Sequence, residues 1–118
     1  MKLNLLNQTI LIIEDYSVMR KSIKSMLYQL GAKDVFEAHN GKSAIMAMKN
    51  QIFDIVLCDY NLGDGQNGQQ VLDQARYEKL LPINAVFMIV TAELSASFVL
   101  NTLENKPDDY LTKPFTPE

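Results

Sequence analysis

One cysteine, Cys58, and one histidine, His39, stand in a chain of 118 residues. A lone thiol excludes a disulfide scaffold and points to a reducing compartment, the cytoplasm. Nothing around His39 suggests a metal site or catalysis, so neither is expected there. Basic charge is also scarce. Eleven Lys and Arg against fourteen Asp and Glu give a net charge of −3. That balance excludes the basic surface needed for direct nucleic-acid binding. No apolar run approaches the roughly 18 residues of a membrane span. The opening eight residues carry too short an apolar segment for a signal peptide. No Gly-Lys-Ser/Thr follows a glycine-rich stretch, and no twelve-residue acidic loop ends in glutamate. The phosphate-cradling and calcium-loop readings are therefore rejected.

What is present is an apolar chain of single-domain size, 47 % hydrophobic. Its apolar runs alternate with amphipathic stretches. Residues 9–13 (TILII) form a β-branched run. Residues 18–30 carry Val18, Met19, Ile23, Met26, Leu27 and Leu30 at helical spacing, stopped by Gly31. A short strand is expected over 35–38 and a second helix over 42–50, with Ala44, Ile45, Ala47 and Met48 inward. Residues 53–59 (FDIVLCD) read as a central strand covered on both faces and ending on an acid. A glycine-rich loop follows, then a third helix over 69–80 ended by Pro82. A strand over 85–90, a fourth helix over 95–104 and a last strand over 109–112 complete the alternation. Met19, Met26, Met46, Met48 and Met88 fall at core-type positions, and Cys58 reads as a small buried hydrophobe.

Strand, helix, strand with short connections means a parallel sheet with crossover helices. Thr116-Pro117-Glu118 looks like a helix start: a cap residue, a proline and an acid. Residues 1–118 are thus expected to form one domain that stops where a fifth helix begins. Apolar surface meant for that helix would invite a homodimer.

Chemistry collects at the carboxyl ends of such strands. Glu14 and Asp15 follow the first strand, Asp59 ends the third, Thr91 the fourth and Lys113 follows the fifth. With the second strand at the edge the order is 2-1-3-4-5, and the ends of strands 1 and 3 are neighbours. Capping of the first helix by Asp15 or Ser17 is the competing use of that acidic pair. Three carboxylates in one pocket repel unless a cation joins them. Oxygen donors without histidine or thiol favour Mg2+, or Mn2+. The Asn61 backbone carbonyl is available to the same ion. A divalent ion, the Lys113 ammonium and the Thr91 hydroxyl around the Asp59 carboxylate make a phosphoryl-transfer site, with Asp59 as nucleophile. The donor would be another phosphoprotein or a small phosphorylated molecule.

These residues carry a resemblance. Ile12-Ile13-Glu14-Asp15, Leu57-Cys58-Asp59-Tyr60-Asn61, Val90-Thr91-Ala92 and Asp109-Tyr110-Leu111-Thr112-Lys113-Pro114-Phe115 resemble the receiver domain of bacterial two-component response regulators, over essentially the whole chain. The resemblance implies a flavodoxin-like (βα)5 doubly wound sheet, here lacking its fifth helix. It implies that Asp59 accepts phosphate from a histidine kinase or phosphotransfer protein. Glu14, Asp15, Asp59 and the Asn61 carbonyl would surround Mg2+, and Lys113 would contact the phosphoryl group. Thr91 and Tyr110 would switch, altering the surface of the fourth helix and fifth strand for a C-terminal output region or a separate effector. A cis Lys113–Pro114 bond is also implied. Asn61 and Glu93 would tune loss of the phosphoryl group, giving a short to moderate lifetime.

Two features depart from the family's usual pattern. The first acid is Glu14 rather than aspartate, and the loop after Asp59 is glycine-rich where a proline is common. That loop is similar to receiver domains attached to tetratricopeptide-like helical repeats. Two other functions compete. One is a phosphate-independent interaction module with the same fold. The other is a magnesium phosphatase with an aspartyl nucleophile, which would need a second acid closer than Asp64 and a substrate cap.

Overall fold

The computed structural model describes residues 5–91 and 109–112. The β-branched runs form parallel strands: β1 (Thr9–Ile13), β2 (Asp34–Ala38), β3 (Ile55–Asp59), β4 (Val86–Thr91) and β5 (Asp109–Thr112). They make one sheet in the order β2-β1-β3-β4-β5, as expected from the strand ends. Three helices are described, α1 (Ser17–Gln29), α2 (Gly41–Asn50) and α3 (Gly68–Tyr77). The expected fourth helix, the Lys113–Pro114 bond and the helix start at residues 116–118 lie outside the described residues.

Alternation along each strand divides the core in two. Leu11 and Ile13 of β1, Val56 and Cys58 of β3, and Phe87 and Ile89 of β4 pack against Ala44, Ile45 and Met48 of α2 and Val71, Leu72 and Ala75 of α3. Their neighbours Ile10, Ile12, Ile55, Leu57 and Val90 face the other way, onto Ile23 and Leu27 of α1. The central strands are therefore apolar on both faces, which explains their unbroken hydrophobic runs. Each fully buried aliphatic side chain contributes about 1.5–3 kcal/mol.

The helix ends are set locally. Asn40 and Asn67 cap α2 and α3, each in a reciprocal capping box, with Ser43 and Gln70 as partners. At the end of α1, Gly31 takes φ +100° and its N–H reaches the Tyr28 carbonyl, while Ala32 N–H reaches Leu27. The end of α3 repeats that pattern with Lys79 in the glycine position, at φ 57°. Lys79 N–H donates to Arg76 and Leu80 N–H to Ala75. This turn stops α3 at Tyr77, ahead of the Leu80 end expected from Pro82.

Some inward assignments fail. Val18 is 63 %, Met46 53 % and Leu30 43 % exposed. Val18 sits in the first turn of α1 and Leu30 just beyond its last. Met46 lies off the Gly41, Ala44, Ile45, Met48 stripe that α2 buries. Cys58 is fully buried, as expected.

Candidate functional site

Parallel pairing brings the acids together. Ile13 of β1 lies opposite Cys58 of β3, so the next residues, Glu14 and Asp59, leave the sheet side by side. Glu14 N–H still donates to Ala38 of β2 at 3.0 Å, and Tyr60 N–H to Val90 of β4 at 3.3 Å. Both acids thus stand on backbone held by a neighbouring strand. Carboxylate oxygens of Glu14, Asp15 and Asp59 all fall within 4.8 Å of one another. Glu14 is 1 % exposed, Asp59 is half-buried and Asp15 is open to solvent.

Capping does not explain the acidic pair. The residue at the α1 N-cap is Tyr16, no side chain makes a cap hydrogen bond, and the first turn holds no acid. Asp15 comes one residue too early and Ser17 one too late. Glu14 Oε2 accepts a long contact of 3.4 Å from Tyr16 N–H. The Glu14 carbonyl accepts 2.8 Å from Arg20 Nη1, while Arg20 Nε is 3.0 Å from Glu37 on β2. Arg20 was not anticipated. It ties the backbone of the buried acid to α1 and β2, and nothing in its helical spacing marks it for that contact.

The loop after Asp59 is folded down rather than loose. Gly63 and Gly65 take φ +78° and +93°, as the glycine-rich stretch requires. Asn61 is exposed, and its Oδ1 accepts from Gly63 N–H at 3.1 Å. Gln66 reaches across to Gln74 of α3, 2.7 Å from Nε2 to Oε1. The Cys58 thiol donates to the Asp59 carbonyl at 3.2 Å. Burial pushes that thiol well up from its ordinary value, and the nearby Asp59 and Glu14 charges add to the shift. It therefore stays protonated and able to donate. Asp64 is exposed and outside the acidic cluster, and His39 is exposed as well.

Thr91 ends β4 with its backbone paired to Thr112 of β5, and Tyr110 is paired to Ile89. Lys113 and Glu93 lie outside the described residues.

The family model for the response regulator receiver domain matches residues 10–118. The chain belongs to that family. This receiver domain is 34 % identical over 110 residues to the chemotaxis protein CheY-3 of Vibrio cholerae, covering 93 % of the chain and 83 % of the relative. It is also 34 % identical, over 107 residues, to the chemotaxis protein CheY of Pseudomonas aeruginosa, covering 91 % of the chain and 85 % of that protein. Among solved structures, chemotaxis protein CheY4 of Vibrio cholerae superposes with a TM-score of 0.84 at 21 % identity, covering 93 % and 89 % of the two chains. That likeness shows the flavodoxin-like fold. The chain is a phosphoacceptor domain of two-component signalling, of the CheY-like kind. Receiver domains bind Mg2+ at an acidic pocket of this composition, and CheY-like ones interact with histidine kinases and effectors. No helix among the described residues is long and apolar enough to cross a membrane.

Proposed function

We propose that Asp59 is the phosphoacceptor, receiving its phosphoryl group from a histidine kinase or phosphotransfer protein. The observation that carries this reading is the convergence of Glu14, Asp15 and Asp59 within 4.8 Å at adjacent strand ends. An Asp59 oxygen attacks the phosphorus, forming an O–P bond as the donor's P–N bond breaks. The electron pair of that bond goes to the imidazole nitrogen, which takes a proton. The product is an acyl phosphate.

The donor set suits Mg2+. Every donor is a hard oxygen, and a metal–oxygen distance of about 2.1 Å joins oxygens up to about 4.2 Å apart directly and wider pairs through a bound water. Glu14, Asp15, Asp59 and the Asn61 carbonyl would hold the ion, with Mn2+ as substitute. When bound, it neutralises charge building on the phosphoryl oxygens. Glu14 and Asp15 hold the metal side of the pocket, leaving Asp59 as the nucleophile. Lys113 would meet the phosphoryl oxygens from the other side. Thr91 and Tyr110 would carry the change to the surface of the fourth helix and β5, where an output region or separate effector reads it. Asn61 and Glu93 would tune hydrolysis, and a phosphoryl group persisting for many hours would count against that role.

The test is Mg2+-dependent phosphorylation by acetyl phosphate, read by intact mass, with Asp59→Asn alongside. A gain of about 80 Da in the parent alone is expected. A folded, Mg2+-binding parent that gains nothing would refute the assignment and leave a phosphate-independent interaction module.

A further inference from the structure

We infer that Gly68 is a positioning residue for Asp59, its missing side chain allowing the first turn of α3 to seat directly on the Asp59–Tyr60 backbone. A Cβ built on Gly68 would collide with the Asp59 carbonyl oxygen and would lie 3.0 Å from Tyr60 Cα and 3.1 Å from the Asp59 carbonyl carbon. The same residue donates its N–H to the Tyr60 carbonyl at 2.7 Å. The helix start and the strand end are thus pressed together and bonded at one point.

Backbone conformation does not ask for glycine there. Gly68 is not among the positive-φ residues, and it opens a regular helix, where propensity favours alanine. The contact is what asks for it. Gly41, the first residue of α2, makes a useful contrast. A Cβ there would meet Gln66 Oε1 at 2.6 Å, Gln66 Cβ at 3.0 Å and Val71 Cγ2 at 3.1 Å, all side-chain atoms, the nearest of them the end of a flexible chain. At Gly68 all three obstructing atoms are main chain of the acid and its neighbour.

Neither body can retreat easily. Val71, Leu72 and Ala75 bury the inner face of α3 completely, and Val56 and Cys58 do the same for β3. The yielding point is the turn itself, held to β4 by the long 3.3 Å Tyr60 bond. Ordinary contact begins at 3.4 Å. A methyl group at Gly68 therefore moves the Asp59 backbone by several tenths of an ångström or more, and shifts its carboxylate relative to Glu14 and Asp15. This inference rests on Asp59 being the acceptor.

The experiment compares the parent, Gly68→Ala and Ala75→Gly. Ala75→Gly weakens the same helix at a buried position that is not against Asp59. Three quantities are read: backbone amide NMR shifts, Mg2+ affinity by calorimetry, and the initial rate of phosphorylation by acetyl phosphate at saturating Mg2+. Gly68→Ala is expected to fold, with shift changes centred on residues 59–63 and 66–70. Its Mg2+ affinity should fall several-fold and its rate about 10- to 100-fold. Ala75→Gly should melt earlier yet keep the parent's affinity and rate. The inference is overturned if Gly68→Ala matches the parent, if Ala75→Gly loses as much, or if Gly68→Ala does not fold, since a fault confined to this seam leaves both core layers intact. A parent that takes no phosphoryl group refutes the acceptor assignment instead, while the amide shifts still decide the positioning.

Discussion

Replacing Asp59 by Asn should make the metal-free protein more stable, although it removes the proposed acceptor. Asparagine matches aspartate in shape, so the change is almost purely one of charge. Asp59 faces two other carboxylates within 4.8 Å. At that distance two unit charges repel by about 0.9 kcal/mol in a water-like medium and about 3.5 kcal/mol at an effective dielectric near 20. The exposed Asp15 belongs near the first figure and the buried Glu14 nearer the second. Relaxation and the neighbouring Arg20 reduce both. In the unfolded chain Asp59 separates from Glu14 and Asp15, so the repulsion on Asp59 weighs on the folded state alone. A gain of about 1–3 kcal/mol follows, or roughly 3–6 °C in melting temperature per kcal/mol for a domain of this size.

Magnesium reverses the sign. An ion that binds the folded parent stabilises it by about 2.7 kcal/mol at one hundred times its dissociation constant. Asp59→Asn binds it more weakly and gains less. Thermal unfolding by circular dichroism, in EDTA and in excess Mg2+, should give curves whose order switches between the two conditions. Added salt should remove only part of the metal-free difference, because the charges sit closer than the Debye length of about 10 Å at 0.1 M. An Asp59→Asn protein that melts below the parent in EDTA would refute the repulsion argument.

Leu72→Ala should lower stability by about 2–5 kcal/mol in a urea titration, since Leu72 is fully buried between α3 and the sheet; a loss under about 1 kcal/mol would mean the layer refills. Asn40→Ala removes the capping box of α2 and should cost about 0.5–2 kcal/mol in the same titration. Lys79→Gly should raise the melting temperature, and Gly31→Ala should lower it. The two residues hold the same left-handed turn position, and nothing lies within 4 Å of a Cβ at Gly31, so its cost is purely conformational. Glu37→Gln tests the α1–β2 ion pairs. The hydrogen bond from Lys24 holds the Glu37 carboxyl below its ordinary value of 4.5; partial burial opposes this, and Arg20 adds to it. A depressed value means stability that is present above the unfolded value and lost as pH falls through the folded one. The variant should therefore be weaker by about 0.2–1 kcal/mol at pH 7, with the difference shrinking steadily as pH falls below the ordinary value of 4.5.

The sheet was legible because a central parallel strand leaves a strong trace: β-branched runs with no polar alternation, each closed by a polar residue. The acidic cluster was legible for the same reason, because parallel strands deliver their last residues to one edge. What pattern could not supply was direction on the helices. Val18 and Met46 fit an apolar repeat in sequence, but a helix packed on one side buries a single stripe, and both lie off it. The early stop of α3 depended on Lys79 entering a backbone region that lysine rarely takes. Gly68 was read as part of the glycine-rich loop, without deciding between positive φ and close approach, since a glycine required for conformation and one required for contact look alike until the neighbour is known.

The site stands on a stable base for a physical reason. Ile13 and Cys58, the residues before Glu14 and Asp59, are fully buried and lie opposite each other in the sheet. Moving either acid away from the other would pull an apolar side chain into solvent or break the strand register. The carboxylates therefore stay close despite their repulsion, and the surrounding apolar layers offset it. A cation then meets charge already gathered, and no ordering of the strand ends has to accompany its binding. Mutations that loosen the layer under Ile13 and Cys58 should for that reason weaken Mg2+ binding before they unfold the domain. Cys58→Gly is the sharpest case. It removes the buried thiol and its bond to the Asp59 carbonyl while leaving all three acids in the chain.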